Sequence, residues 1–230
     1  MHVPDGFFNA ATSVSAGVVT AGTLGVSLRK AADDLTDRLT PMAGLVSAFV
    51  FALQMLNFPV VSGTSGHLLG GALAAVLVGP WTACLCIAVV VLVQGLLFAD
   101  GGLTAYGINV LLIGIIPAFV GWGVFRTVRS VTPAAKSTVV AASGISAFVS
   151  VPVAAAAFAV LYGIGGAVDL SFGSVLGAMV GVHLLIGIGE ALITAAVVSA
   201  VVGVRPDLVY GASDLTPELE LRPARARTAA

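Results

Sequence analysis

The chain has 230 residues, 58% of them hydrophobic and only 9% charged, with a formal net charge of −1. Soluble domains carry about 25% charged residues, so this composition excludes an ordinary soluble protein, and the lack of any basic cluster excludes nucleic acid as a partner. The 28 glycines are spread through the apolar runs rather than confined to turns, which is how membrane helices approach one another closely.

In chain order, a polar hexapeptide comes first, Met1-His2-Val3-Pro4-Asp5-Gly6. Seven apolar segments follow, at 7–28, 41–57, 67–79, 81–98, 108–125, 137–163 and 174–204. A bilayer crossing needs roughly 17–25 helical residues, which five of them reach clearly. Segment 41–57 is borderline and 67–79 is short. Gly79-Pro80-Trp81-Thr82 reads as a tight turn, so 67–98 is expected to be a helical hairpin whose first arm begins with loop residues at membrane depth. No secretory signal is expected, because nothing basic precedes the first apolar stretch. Cys84 and Cys86 lie in one apolar run, too close for an ordinary disulfide, and read as packing residues. The segment 205–230 contains Pro, Arg and Glu and few large apolar residues, and is expected to be a mobile cytoplasmic tail after a transmembrane domain at 1–204.

The basic residues set the expected orientation. Arg29, Lys30 and Arg38 follow segment 1; Arg126, Arg129 and Lys136 lie between segments 5 and 6; Arg205, Arg222, Arg225 and Arg227 follow segment 7. With about seven spans, all ten basic residues fall inside when the N-terminus is outside and the C-terminus inside. The expected fold is an all-α polytopic membrane bundle in the bacterial cell membrane. Its external segments, 1–6, 58–66, 99–107 and 164–173, hold Asp5, Asp100 and Asp169 and no basic residue, a field that draws cations.

That places the hexapeptide outside, where it can chelate. The Met1 amine, the His2 backbone nitrogen and the His2 imidazole are three nitrogens joined by short covalent links, closing a five-membered and a six-membered ring on one ion. A fourth in-plane nitrogen would complete the square cage accepted by Ni(II), Cu(II) or low-spin Co(II). His67, in the external-side run Ser62-Gly63-Thr64-Ser65-Gly66-His67-Leu68-Leu69-Gly70, is either a helix-capping histidine or that fourth donor. Asp5, Ser65, Asp100, Thr104 and Asn109 are pocket candidates, the last three as hydrogen-bond partners for the imidazoles. In segment 7, His183 and Glu190 share a helix face. They read either as a buried polar cluster with Gln54, Gln94 or Asn57, or as further metal ligands. Gly17, Ala21 and Gly25 form a small-residue stripe for packing within the bundle or against a partner. HExxH and Ser-based triad patterns are absent, so no enzyme is expected.

The stretches Met1-His2-Val3-Pro4-Asp5-Gly6-Phe7, Gln54-Met55-Leu56-Asn57, Gly63-Thr64-Ser65-Gly66-His67-Leu68-Leu69-Gly70, Asp100-Gly101-Gly102-Leu103-Thr104-Ala105 and His183-Leu184-Leu185-Ile186-Gly187 with Glu190 resemble the cobalt/nickel substrate-binding components of energy-coupling factor transporters, the CbiM/NikM family, over about 1–204. The resemblance implies ligation by Met1, His2 and His67. It also implies Co(II) or Ni(II) as the transported ion, with no cofactor, and a cycle in which the capture component reorients to release it. The implied partners are a transmembrane coupling subunit, two cytoplasmic ATPases and, in many systems, a small accessory membrane protein. The chain has no GxxxxGK[ST] loop, which fits an ATPase supplied in trans. The alternatives are an ATP-independent metal permease or channel, and a capture component for an organic vitamin. Here Asn109 is followed by Val110, where the family commonly has Asn-Met.

Overall fold

The computed structural model describes residues 1–34, 39–59 and 65–215. Among these, the chain is a bundle of seven α-helices: α1 (Ala10–Asp34), α2 (Leu39–Gln54), α3 (Gly71–Val78), α4 (Pro80–Phe98), α5 (Tyr106–Ser130), α6 (Lys136–Gly165) and α7 (Phe172–Val204). Five are long and apolar enough to cross a membrane; α2 is shorter, and α3 has only eight residues. An eight-residue helix rises about 12 Å, so segment 67–79 does not cross a bilayer as helix. It enters as an irregular loop, and Gly79 (φ 85°) and Pro80 turn it directly into α4, the hairpin expected over 67–98.

Local signals set the helix ends. The Asn9 side chain accepts the Thr12 N–H at 2.9 Å at the head of α1, and the Ser171 hydroxyl accepts that of Ser174 at 3.2 Å at the head of α7. Within α5, Leu111–Ile115 forms a π-helical turn just before Pro117; the wider turn accommodates a residue that has no N–H to donate. All eight residues of α3 are buried at the centre of the bundle. Large apolar side chains such as Val18, Leu97, Ile164, Leu185 and Leu192 are exposed around the outside, as a lipid-facing belt requires.

Residues 58–59 and 65–66 pair as a short antiparallel ladder, Phe58 opposite Gly66 and Pro59 opposite Ser65. Alternating helix directions bring 1–9, 55–59, 65–70, 99–109 and 165–171 to one end of the bundle. The opposite end carries Arg29, Lys30, Arg126, Arg129, Lys136 and Arg205; Arg38, Arg222, Arg225 and Arg227 lie outside the described residues. Within the segment read as a tail, Pro206–Leu208 and Tyr210–Leu215 form 3-10 turns across this end. Val209 and Ala212 are buried, the Tyr210 ring lies 5.4 Å from Trp122, and Arg129 pairs with Asp214 at 2.5 Å. Residues 216–230 lie outside the described residues.

Candidate metal centre

The hexapeptide is an inserted strap. Met1 and Val3 have no exposed surface and His2 keeps only 3%. The strap is held on both sides of its turn. Before it, the Val3 N–H donates to Asn109 Oδ1 at 2.8 Å, and the Val3 carbonyl accepts from Gly102 N at 2.8 Å and Asn109 Nδ2 at 3.2 Å. At Pro4-Asp5-Gly6 the chain reverses, with Gly6 at φ 80°. Beyond it, Ala167 N donates to the Phe7 carbonyl at 2.9 Å and Asn9 N to that of Gly165 at 2.8 Å. Phe7 and Phe8 seat against Phe158, each with ring centroids 5.8 Å away, and Phe7 lies as close to Tyr162. The Tyr162 hydroxyl donates to Val168 O and accepts from Leu170 N, ordering the loop that receives Phe7.

The roof is the Gly101-Gly102 loop. A Cβ on Gly102 would overlap Asp5, and one on Gly101 would lie 2.9 Å from Asn109 Nδ2 and 3.0 Å from His2 Nδ1. Only backbone fits here, and Gly101 also sits at φ 98°. The Asp5 carboxylate accepts from Thr104 Oγ1 at 2.5 Å and Thr104 N at 2.8 Å; these bonds hold its pKa below the usual carboxylate range.

Beneath the roof, the His2 and His67 rings lie 4.6 Å apart between centroids, tilted by 37°. His67 is fully buried, and its Nδ1–H donates to the Leu68 carbonyl at 2.8 Å. That bond puts the proton on Nδ1 and leaves a lone pair on Nε2. Asp100 Oδ2 lies 3.8 Å from His2 Nε2 and accepts from Asn57 Nδ2 at 2.8 Å. A carboxylate on that side favours the proton on Nε2 and frees Nδ1, the nitrogen that closes the six-membered ring. His2 Nδ1, His2 Nε2 and His67 Nε2 are buried with no hydrogen-bond partner among the described residues. Burial lowers the pKa of the Met1 amine to about 4, with Asp100 opposing. It also lowers that of His2 to about 4, helped by the amine's charge and opposed by Asp100. Neutral nitrogens with free lone pairs are what a metal ion requires.

Among the described residues, no three His, Cys, Asp or Glu side chains come together at metal-binding distance. Among the described residues His2 and His67 supply two imidazoles, which reach four nitrogens with the main-chain amine and the His2 amide; His183 Nε2 is likewise buried without a hydrogen-bond partner, and its ring lies within electrostatic reach of the Met1 amine and His67. Thr104 and Asn109 grip Asp5 and Val3 rather than the imidazoles; their effect on the donors passes through the strap. The Ser65 side chain lies outside the described residues. His183 and Glu190 sit on the buried face of α7, but Gln94 and Asn57 do not join them. Glu190 instead bonds to Leu69 N and Gly70 N, and His183 Nδ1 donates to Met179 O at 2.7 Å. The aromatic clamp on Phe7 and Phe8 was not read from the sequence; its signal was the paired phenylalanines directly after a turn.

The fold and this cluster define a multi-pass helical membrane protein with a buried group of nitrogen donors at one end. Residues 2–208 match the family model of the cobalt uptake substrate-specific transmembrane region, CbiM, and the chain belongs to that family. It is 36% identical over 224 residues to a Haloquadratum walsbyi protein named as a metal transport protein, covering 96% of this chain and all of that one. It is 35% identical over 170 residues to the cobalt transport protein CbiM of Sorangium cellulosum, covering 74% and 76% of the two chains. A crystal structure of a truncated transition metal transporter superposes with a TM-score of 0.82 at 30% identity, over 88% of this chain and 99% of that one. The chain is therefore a membrane transport protein of the CbiM type.

Proposed function

We propose that this chain is the substrate-capture component of an ATP-driven uptake system for Co(II) or Ni(II), binding the ion through the Met1 amine, the His2 amide nitrogen, His2 Nδ1 and His67 Nε2. The observation that carries the reading is the buried Met1-His2 terminus against the partnerless Nε2 of His67. Amide ligation favours ions that accept four in-plane nitrogens over tetrahedral Zn(II). One relative is named for cobalt. Another, 35% identical over 71% of this chain and 47% of its own length, is the fused nickel transport protein NikMN of Rhodobacter capsulatus. Both ions stay within the proposal.

The donor end faces outward and the basic end faces the cytoplasm, in the sense that positive-inside bias supports. The ATPases and coupling subunit are separate chains, in keeping with the missing phosphate loop. A channel fits less well, because α3 is wholly buried below the site and the turns at 206–215 lie across the far end. A vitamin ligand fits less well, because Met1, His2 and Val3 are themselves buried to 0–3% exposure and two of the groups they meet, His67 and Asn109, are polar.

The test is one residue. Placing a glycine before Met1 turns the amine into an amide at a terminus that has no exposed surface. Titration of the purified protein with NiCl2 and CoCl2 should show binding lost in the extended variant and strongly weakened in His67→Ala, with folding intact. Unchanged affinity in the extended variant would sink the amine-ligand reading. Uptake that persists without ATPase and coupling subunits would overturn the ATP-driven one.

A further inference from the structure

Among the described residues Glu190 is the one buried carboxylate, 3% exposed and far along α7. It is the nineteenth residue of that helix, about 27 Å from its start. A carboxylate there carries a desolvation cost of several kcal/mol unless its oxygens are satisfied. Both are. Oε2 accepts the Leu69 N–H at 2.6 Å and Oε1 the Gly70 N–H at 2.9 Å. The same stretch is gripped from α2, where Gln54 Nε2 donates to the Leu69 carbonyl at 2.6 Å.

Two successive N–H groups converge on one carboxylate because Gly70 adopts φ 74°, ψ −3°, a left-handed turn that makes an anion-binding nest. A Cβ at Gly70 would also meet Val50 at 2.8 Å. Leu69 and Gly70 precede α3, so the carboxylate holds the loop rather than the first helical turn. From the loop the connection to the donor is short. The Leu68 carbonyl next in line accepts His67 Nδ1–H at 2.8 Å, which fixes the ring's tilt and aims Nε2 at His2.

We propose that Glu190 is a positioning residue for His67: it fixes the Leu69-Gly70 turn from α7, and so sets where the fourth nitrogen of the site points. This rests on the reading of His67 as a ligand. Glu190→Gln keeps the side-chain volume but replaces one acceptor oxygen by an NH2 facing an N–H, so one bond is lost and the loop must shift.

The experiment is a titration of the full-length protein with NiCl2, following affinity and the ligand-field spectrum, for wild type, E190Q, H67A and the double variant. E190Q should weaken Ni(II) binding about 10–100-fold, the usual effect of losing a group that orients a ligand. Its absorption band should move to lower energy as water replaces a nitrogen, and free imidazole should restore the band, as in H67A. In the H67A background E190Q should add nothing, because both changes act through one ligand. An unchanged band and affinity in E190Q, a loss that imidazole does not mend, or additivity with H67A would each overturn the proposal. Should E190Q fail to fold, Gln54→Leu releases the same peptide from α2 and is expected to shift the band the same way; no shift there overturns it equally. A wild type without a four-nitrogen band, or an H67A variant identical to it, removes the ligand reading itself and this proposal with it.

Discussion

The number of protons released when the ion binds should separate a preformed pocket from a loose peptide chelate. In a free Met-His terminus at pH 7, ordinary values of 8.0 for the amine and 6.5 for the imidazole leave about nine tenths of the amine and about a quarter of the imidazole protonated. Chelation there would expel both fractions and the amide proton, about two protons in all. In the folded protein both groups lie at about 4, so each is about 0.1% protonated at pH 7, and His67 already carries a free lone pair on Nε2. Only the amide proton remains to leave. Calorimetry at pH 7 in buffers of different ionisation enthalpy should therefore report about one proton per Ni(II) or Co(II). The affinity should fall by about one decade per pH unit from pH 7 to about 5.5, then more steeply towards pH 4.

Two or more protons released at pH 7 would mean that the amine or an imidazole is charged in the apo protein, and would refute the buried neutral donor set. Zero protons would refute amide ligation. The same shifts predict the sign of apo stability. Both pKa values are lower folded than unfolded, so the unfolded chain takes up protons first. Stability is complete above pH 8 and is lost as pH falls, through the amine from 8.0 towards about 4 and through His2 from 6.5 towards about 4.

Two further predictions concern the grip on the strap. Asn109→Ala removes both bonds to Val3 and leaves its N–H unpaired, at a cost of about 1–3 kcal/mol; Ni(II) affinity should drop about 10–100-fold, with faster amide hydrogen exchange at Val3. Gly102→Ala places a methyl into Asp5 and its backbone, so metal binding should be lost while helical circular dichroism is unchanged; tight binding by this variant would contradict the observed roof.

The bundle was legible because lipid imposes one rule, that every backbone polar group be satisfied within the segment, and long apolar runs announce it. Segment 67–79 was harder. Its hydropathy reads as a membrane segment, yet residues 67–70 are held as loop by Glu190 and Gln54, which lie 120 and 15 residues from their nearer partners. Side-chain composition gives no sign of such pairings. The 206–215 turns were hidden for a related reason: Arg, Asp and Pro look like tail until Tyr210 finds Trp122 and Asp214 finds Arg129.

The donors themselves are the opposite case. An amine, an amide nitrogen and an imidazole within the first two residues are linked by bond geometry, so their chelate can be read without knowing the fold and without any clustering of distant side chains. What bond geometry cannot supply is their burial, which makes them neutral, or the tautomer that Leu68 and Asp100 select. Those depend on residues 66 to 98 positions away from His2 brought in by α3 and α4, and on a glycine pair that lets a roof descend to contact. The division follows from distance along the chain: ring closure is local and sequence records it, whereas desolvation and orientation are assembled by packing. A strap whose ligands are encoded locally but whose neutrality is borrowed from the bundle binds only in the folded protein, so removing the roof should abolish the one-proton signature before it unfolds any helix.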